Sequence, residues 1–124
     1  MYTFKKSERL CNRSSTEKLH AEGSSCKEGP LRLVYLPIKS ERSDVLKVQI
    51  VVPKRHISKA VNRNLIKRYI RESVRKQKQL LIDYLELQGV CLDMSVIYQS
   101  SEIKSFLIID QKINSLLIRL KSKL

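Results

Sequence analysis

KRHISKAVNRNLIKRYIRESVRK, Lys54–Lys76, packs nine Lys or Arg, one His and a single acid, Glu72, into 23 residues. Apolar residues recur through it at helical spacing, which predicts a helix from Ile57 or Ser58, with Ser58 as N-cap, to Arg75 or beyond. On a wheel at about 100° per residue, Arg63, Lys67, Arg71 and Arg75 follow one another by four, Arg68 falls beside Arg75, and Asn64 lies among them. Leu65, Ile66, Tyr69 and Ile70 take the other side, with Val61 at its edge. Asn62 and Ser73 interrupt that side, and Val74 strays into the basic stripe. Such a helix needs a sheet to cover with its apolar side. Its cations repel one another by roughly 0.2–0.5 kcal/mol per i,i+4 pair. A phosphate backbone lying along the stripe removes that repulsion and releases counterions, and Arg suits bidentate phosphate contact.

Outward from this segment, Val45–Val52 (VLKVQIVV) and Leu31–Ile38 (LRLVYLPI) read as strands, joined by the polar turn KSERSD and expected to pair antiparallel. Ser15–Leu19 predicts a short helix, capped by Ser14 or Ser15 and stopped by Gly23. Residues 1–8 read as an extended arm, and a short edge strand is allowed near Ser24–Lys27. Beyond Lys76 the helix is expected to continue, with or without a break, to a stop at Gly89. Val90–Tyr98 is a further strand. A last helix over about Leu107–Lys121 carries Ile109, Ile113, Leu116, Leu117 and Leu120 on one face. The expected fold is α+β. It is a two-layer sandwich of helices on a mainly antiparallel sheet of about four strands, in the order α-β-β-(β)-α-β-α.

The chain has 124 residues, enough for a single domain. Of its net charge of +13, the window Lys54–Lys78 holds +9, ten basic residues against one acid, and the other 99 residues hold +4. A solvated face normally mixes signs, so this concentration points to a polyanion. The three cysteines, Cys11, Cys26 and Cys91, are widely spaced without zinc-site pattern and are expected to be reduced thiols. There is no long apolar run and no signal-peptide pattern at the N-terminus, so no membrane contact and a cytoplasmic location are expected. His56 has no nucleophile or carboxylate partner in the pattern and reads as a surface residue. No paired carboxylates or nucleophile constellation occurs, which points to a binding protein and not a self-sufficient catalyst.

The motif KAVNRNLIKRYIRE, Lys59–Glu72, resembles the signature of the bacterial ribonuclease P protein component, an Ala-Val followed by an Arg-Asn-Arg-x-Lys-Arg core and Arg-Glu. The strand before Pro53-Lys54-Arg55, the opening TFKKSERL and the order of elements are similar to that family as well. The resemblance implies a left-handed βαβ crossover around the basic helix, against the usual right-handed rule. It implies a protein subunit that binds ribonuclease P RNA and precursor tRNA, assisting Mg²⁺-dependent removal of the 5′ leader. Catalysis and Mg²⁺ then lie with the RNA subunit, and no DNA partner is expected. RNA contact carries over to Lys54, Arg55, Lys59, Arg63, Asn64, Lys67, Arg68 and Arg71, with Arg75 extending the row. A cleft between sheet and first helix would take the leader. Tyr35 stacks there by resemblance, Lys47 or Gln49 lines it, and His20 stands where the family often has Phe. The motif's second Arg is Leu65 here, which implies that the helix is seated slightly differently or makes one RNA contact fewer.

Other classes explain less. A ribosomal or other structural RNA-binding protein accounts for charge and strands but not for the Arg63-Asn64, Lys67-Arg68 and Arg71 spacing. A DNA-binding regulator would mix more base-reading Asn, Gln and Ser into the helix. An autonomous nuclease would need a carboxylate cluster for metal.

Overall fold

The structure, a computed structural model, describes residues 13–38 and 44–124. The expected arm at 1–8 and most of the KSERSD turn lie outside the described residues. The elements are α1 (Arg13–Glu22), β1 (Ser24–Glu28), β2 (Leu31–Ile38), β3 (Leu46–Val51), α2 (Ala60–Gln88), β4 (Cys91–Tyr98) and α3 (Phe106–Lys123). The α+β two-layer expectation holds, and β1 is the edge strand that the sequence allowed.

The four-stranded sheet has the order β1-β2-β4-β3. This corrects one expectation: β2 and β3 do not pair. β4 lies between them, antiparallel to β2 (Leu31↔Tyr98 to Ile38↔Cys91) and parallel to β3 (Leu46↔Leu92 to Val51↔Ile97). The reason is burial. β4 is buried at every position except Ile97, as a central strand flanked on both edges should be. Parallel neighbours need a long crossover, and α2 supplies it.

Residues 92, 94, 96 and 98 of β4, with Leu31, Leu33 and Tyr35 of β2 and Leu46 and Val48 of β3, face one core. Two helices cover it. From α2 come Ile66, Ile70, Val74, Leu81 and Leu85; from α3 come Ile109, Ile113, Leu116, Leu117 and Leu120, the five positions expected from their spacing. The two helices run in the same direction at a constant offset. Ser73 Oγ donates to Asp110 Oδ1 at 2.6 Å, and Tyr84 Oη donates to the Lys121 carbonyl at 3.1 Å. The Tyr69 and Phe106 rings meet edge-to-face at 5.8 Å. Ser73 therefore does not spoil the apolar side of α2, because its hydroxyl fastens α3.

The opposite sheet face is covered only in part. Leu19 of α1 packs on Val34, flanked by Leu36 and Ile97. Gly23 ends α1 by close approach: a Cβ there would lie 2.3 Å from the Leu19 carbonyl oxygen and 3.0 Å from that of Tyr35. The rest of this face stays half open over Leu36, Lys47, Gln49 and Val51.

Candidate nucleic-acid interface

α2 runs unbroken from Ala60 to Gln88 and ends at Gly89, whose φ of +68° is the left-handed conformation a helix stop requires. Its start differs from expectation. Ser58 is not the cap; Lys59 is, with no side-chain cap bond. Before it the chain turns on Pro53, whose carbonyl accepts from the amides of His56 and Ile57, and Ile57 is driven into the core. That burial holds residues 57–59 out of helical geometry.

The helix also sits rotated from the wheel expectation. Val74, expected in the stripe, is buried, whereas Val61 is 72% exposed and Leu65 only half-buried. The helix rests between sheet and α3, so its covered arc centres near Ile70 and Val74 and reaches Lys78, which is 5% exposed. Arg63 and Lys67 point within that arc, in the directions of Leu81 and Leu85, but lie toward the N-terminal end of the helix and are only half-buried. Asn64, Arg68, Arg71 and Arg75 fall within about 60° of one another on the outer side. Asn64, Arg68 and Arg71 are exposed, as are Lys54, Arg55 and Lys59 before the helix. His56 beside them is half-buried.

The cations divide by what they touch. Among the described residues, Lys54, Arg55, Lys59, Lys67, Arg68 and Arg71 have no acidic side chain in ion-pair contact. Arg75 is different: it is hydrogen-bonded to Glu72 one turn back. That bond holds the Glu72 carboxyl below its ordinary range and raises Arg75 further. Arg63 donates from Nη1 to the carbonyls of Ile57 at 3.0 Å and Ser58 at 2.7 Å. Lys76, next to the row, leans the other way, 3.6 Å from Asp110 and over the Phe106 ring. The outward row with charge to offer is thus Lys54, Arg55, Lys59, Arg68 and Arg71, with Asn64 among them and Lys67 at its margin.

The second expected surface is only partly assembled. Gln49 is on the α1 face of the sheet, its Oε1 accepting from Ser95 Oγ at 3.3 Å, and Lys47 shares that face by strand alternation. His20 is exposed on α1, next to the buried Leu19. Tyr35 is a correction. It is 6% exposed and sits in the main core, on the side away from α1. Strand parity decides this: Tyr35 follows Leu31 and Leu33 inward, which puts Leu36 on the α1 face. The signal was available in the sequence, as Leu31, Leu33 and Tyr35 alternate with Arg32. Leu36, Ser95 and Ile97 were not singled out from sequence. None of the described strand residues on the α1 face is aromatic.

No three His, Cys, Asp or Glu among the described residues come together to hold a metal ion, and no helix there is long and apolar enough to cross a membrane. Cys26 and Cys91 are buried, and burial pushes the Cys26 thiol up, away from reactive thiolate.

The family model described as ribonuclease P matches residues 4–121. A ribonuclease P protein component of Porphyromonas gingivalis is 30% identical, over 96% of this chain and 87% of that protein. One from Chlorobium phaeobacteroides is 31% identical, over 93% and 86%. The Staphylococcus aureus RNase P protein structure superposes with a TM-score of 0.72 at 22% identity, covering 92% of this chain and 95% of that one. The Thermotoga maritima RNase P protein gives 0.69 at 26% identity, covering 90% and 96%.

Proposed function

The chain belongs to the ribonuclease P protein family, and from that premise we propose that it is the protein subunit of a ribonuclease P, working in the cytoplasm. In this reading it binds the catalytic RNA along the outer side of α2 and assists Mg²⁺-dependent removal of the 5′ leader from precursor tRNA. One observation carries it: Arg68 and Arg71, with Lys54, Arg55 and Lys59 before the helix, point outward without acidic partners among the described residues, on an element anchored to the sheet by its other side. Like charges held at that spacing gain most from a polyanion that replaces their counterions.

The protein's contribution is positioning and charge. In this reading bond breaking and Mg²⁺ belong to the RNA and substrate, as the family resemblance implies. The half-open face beside α1 is the leader path. Leu36 and Ile97 supply apolar contact there, and Lys47 and Gln49 supply polar contact, with His20 at the rim. Without an aromatic on these strands, the leader is held by its backbone and by apolar packing more than by stacking.

The test is reconstitution. The purified chain is added to a bacterial ribonuclease P RNA at low Mg²⁺, and cleavage of a precursor tRNA is followed. Stimulation over RNA alone is expected; its absence in repeated reconstitutions defeats the proposal.

A further inference from the structure

We propose that Arg63 is a positioning residue, which holds the strap Pro53–Lys59 on the first turn of α2 and so sets Lys54, Arg55 and Lys59 for RNA. The inference rests on the reading that this surface meets RNA. It assigns to Arg63 a task other than the phosphate contact that its place in the motif suggests.

α2 begins with no side-chain cap, so nothing from the cap residue ties the preceding chain to the helix. The strap enters through the turn on Pro53, drops Ile57 into the core and then runs out along Ser58 and Lys59, both exposed. The carbonyls of Ile57 and Ser58 precede the helix and cannot accept within it. A single nitrogen, Arg63 Nη1, reaches back from the first turn and donates to both. A charged donor makes these stronger than ordinary amide bonds. The helix rotation explains why Arg63 is available for this: it points in the direction of the covered arc but precedes Ile66, the first buried residue of the helix, and is half-buried, unlike the exposed Arg68 and Arg71. Three exposed cations therefore ride on a strap whose attachment is Ile57 at one point and Arg63 at another. Their mutual repulsion pushes the strap outward, and the guanidinium opposes that push.

The experiment uses the full chain and a bacterial ribonuclease P RNA. Arg63→Gln, Arg55→Ala and the double variant are compared with the unsubstituted chain, with Arg63→Met as the replacement should Arg63→Gln not fold. Without RNA, trypsin is expected to cut after Lys54 and Arg55 several-fold faster in Arg63→Gln, at a melting temperature showing the domain still folded. With RNA, the log-log salt slope is expected to fall by about two units or more, where one lost phosphate contact gives about 0.9. In the Arg63→Gln background, Arg55→Ala should lose much less affinity than it does alone, the signature of coupled residues. A slope loss of about 0.9 with unaltered digestion makes Arg63 an ordinary phosphate contact and overturns the proposal. Faster digestion with independent, multiplicative affinity losses makes it merely structural and overturns it too. If the unsubstituted chain binds no RNA, the functional reading itself falls, and this inference with it.

Discussion

Tyr35→Ala separates the two faces of the sheet. A buried aromatic removes about 150–250 Å² from water, and core aromatic truncations cost about 3–5 kcal/mol. Tyr35 is 6% exposed and packs in the main core, so the upper part of that range applies. For a domain of this size each kcal/mol moves the melting temperature by about 3–5 °C, which gives a fall of about 12–25 °C. Thermal denaturation followed by circular dichroism measures it, with Tyr35→Phe as the control that keeps the ring and melts near the parent. The second arm is precursor binding well below the variant's midpoint, where preference for long over short leaders should match the unsubstituted chain. Leu36→Ala should do the reverse, with a small melting shift and a weakened preference for long leaders. If Tyr35→Ala melts within about 3 °C of the parent and loses long-leader preference, the ring is on the α1 face. The register of β2 is then wrong by one residue, because a slip of one exchanges the faces of a strand.

Three further outcomes are expected. Arg68→Ala and Arg71→Ala should each flatten the salt dependence of RNA binding by about 0.9 in slope, and Arg75→Ala by less, because Glu72 already engages it. Glu72 has a folded-state pKa below its unfolded value, so its pairing with Arg75 stabilises fully above about pH 4.3 and is lost as pH falls through the depressed value. Melting scans should therefore show the parent losing stability on acidification more steeply than Glu72→Gln, and parallel curves would mean that the pair is not formed. Gly23→Ala should pry α1 from β2, since the new Cβ meets two main-chain oxygens. Long-leader binding should then drop while binding of the RNA subunit is kept, and equal loss of both would separate α1 from the leader path.

Much of this was legible along the chain because the signals are local. The five apolar positions of α3, the stop at Gly89 and the edge strand near Ser24 each depend on period, turn chemistry or backbone conformation, which neighbouring residues decide. The outward direction of Arg68 and Arg71 follows from their spacing by three, which puts them about 60° apart on one helix.

What the chain alone did not decide depends on partners far away in sequence. Periodicity shows that α2 has an apolar side, but its rotation was set by α3, which takes Ser73 and Tyr69, and by the sheet, which takes Val74. Two strands separated by a short polar segment look like a hairpin until β4, buried along almost its whole length even where Asp93 and Ser95 stand on one face, comes between them. Motif spacing marks Arg63 as one more cation in a row, whereas the folded strap before the helix turns it toward main-chain carbonyls. Sequence carries the period and sign of a surface; which arc of it faces solvent is settled only when the elements compete for the same buried area.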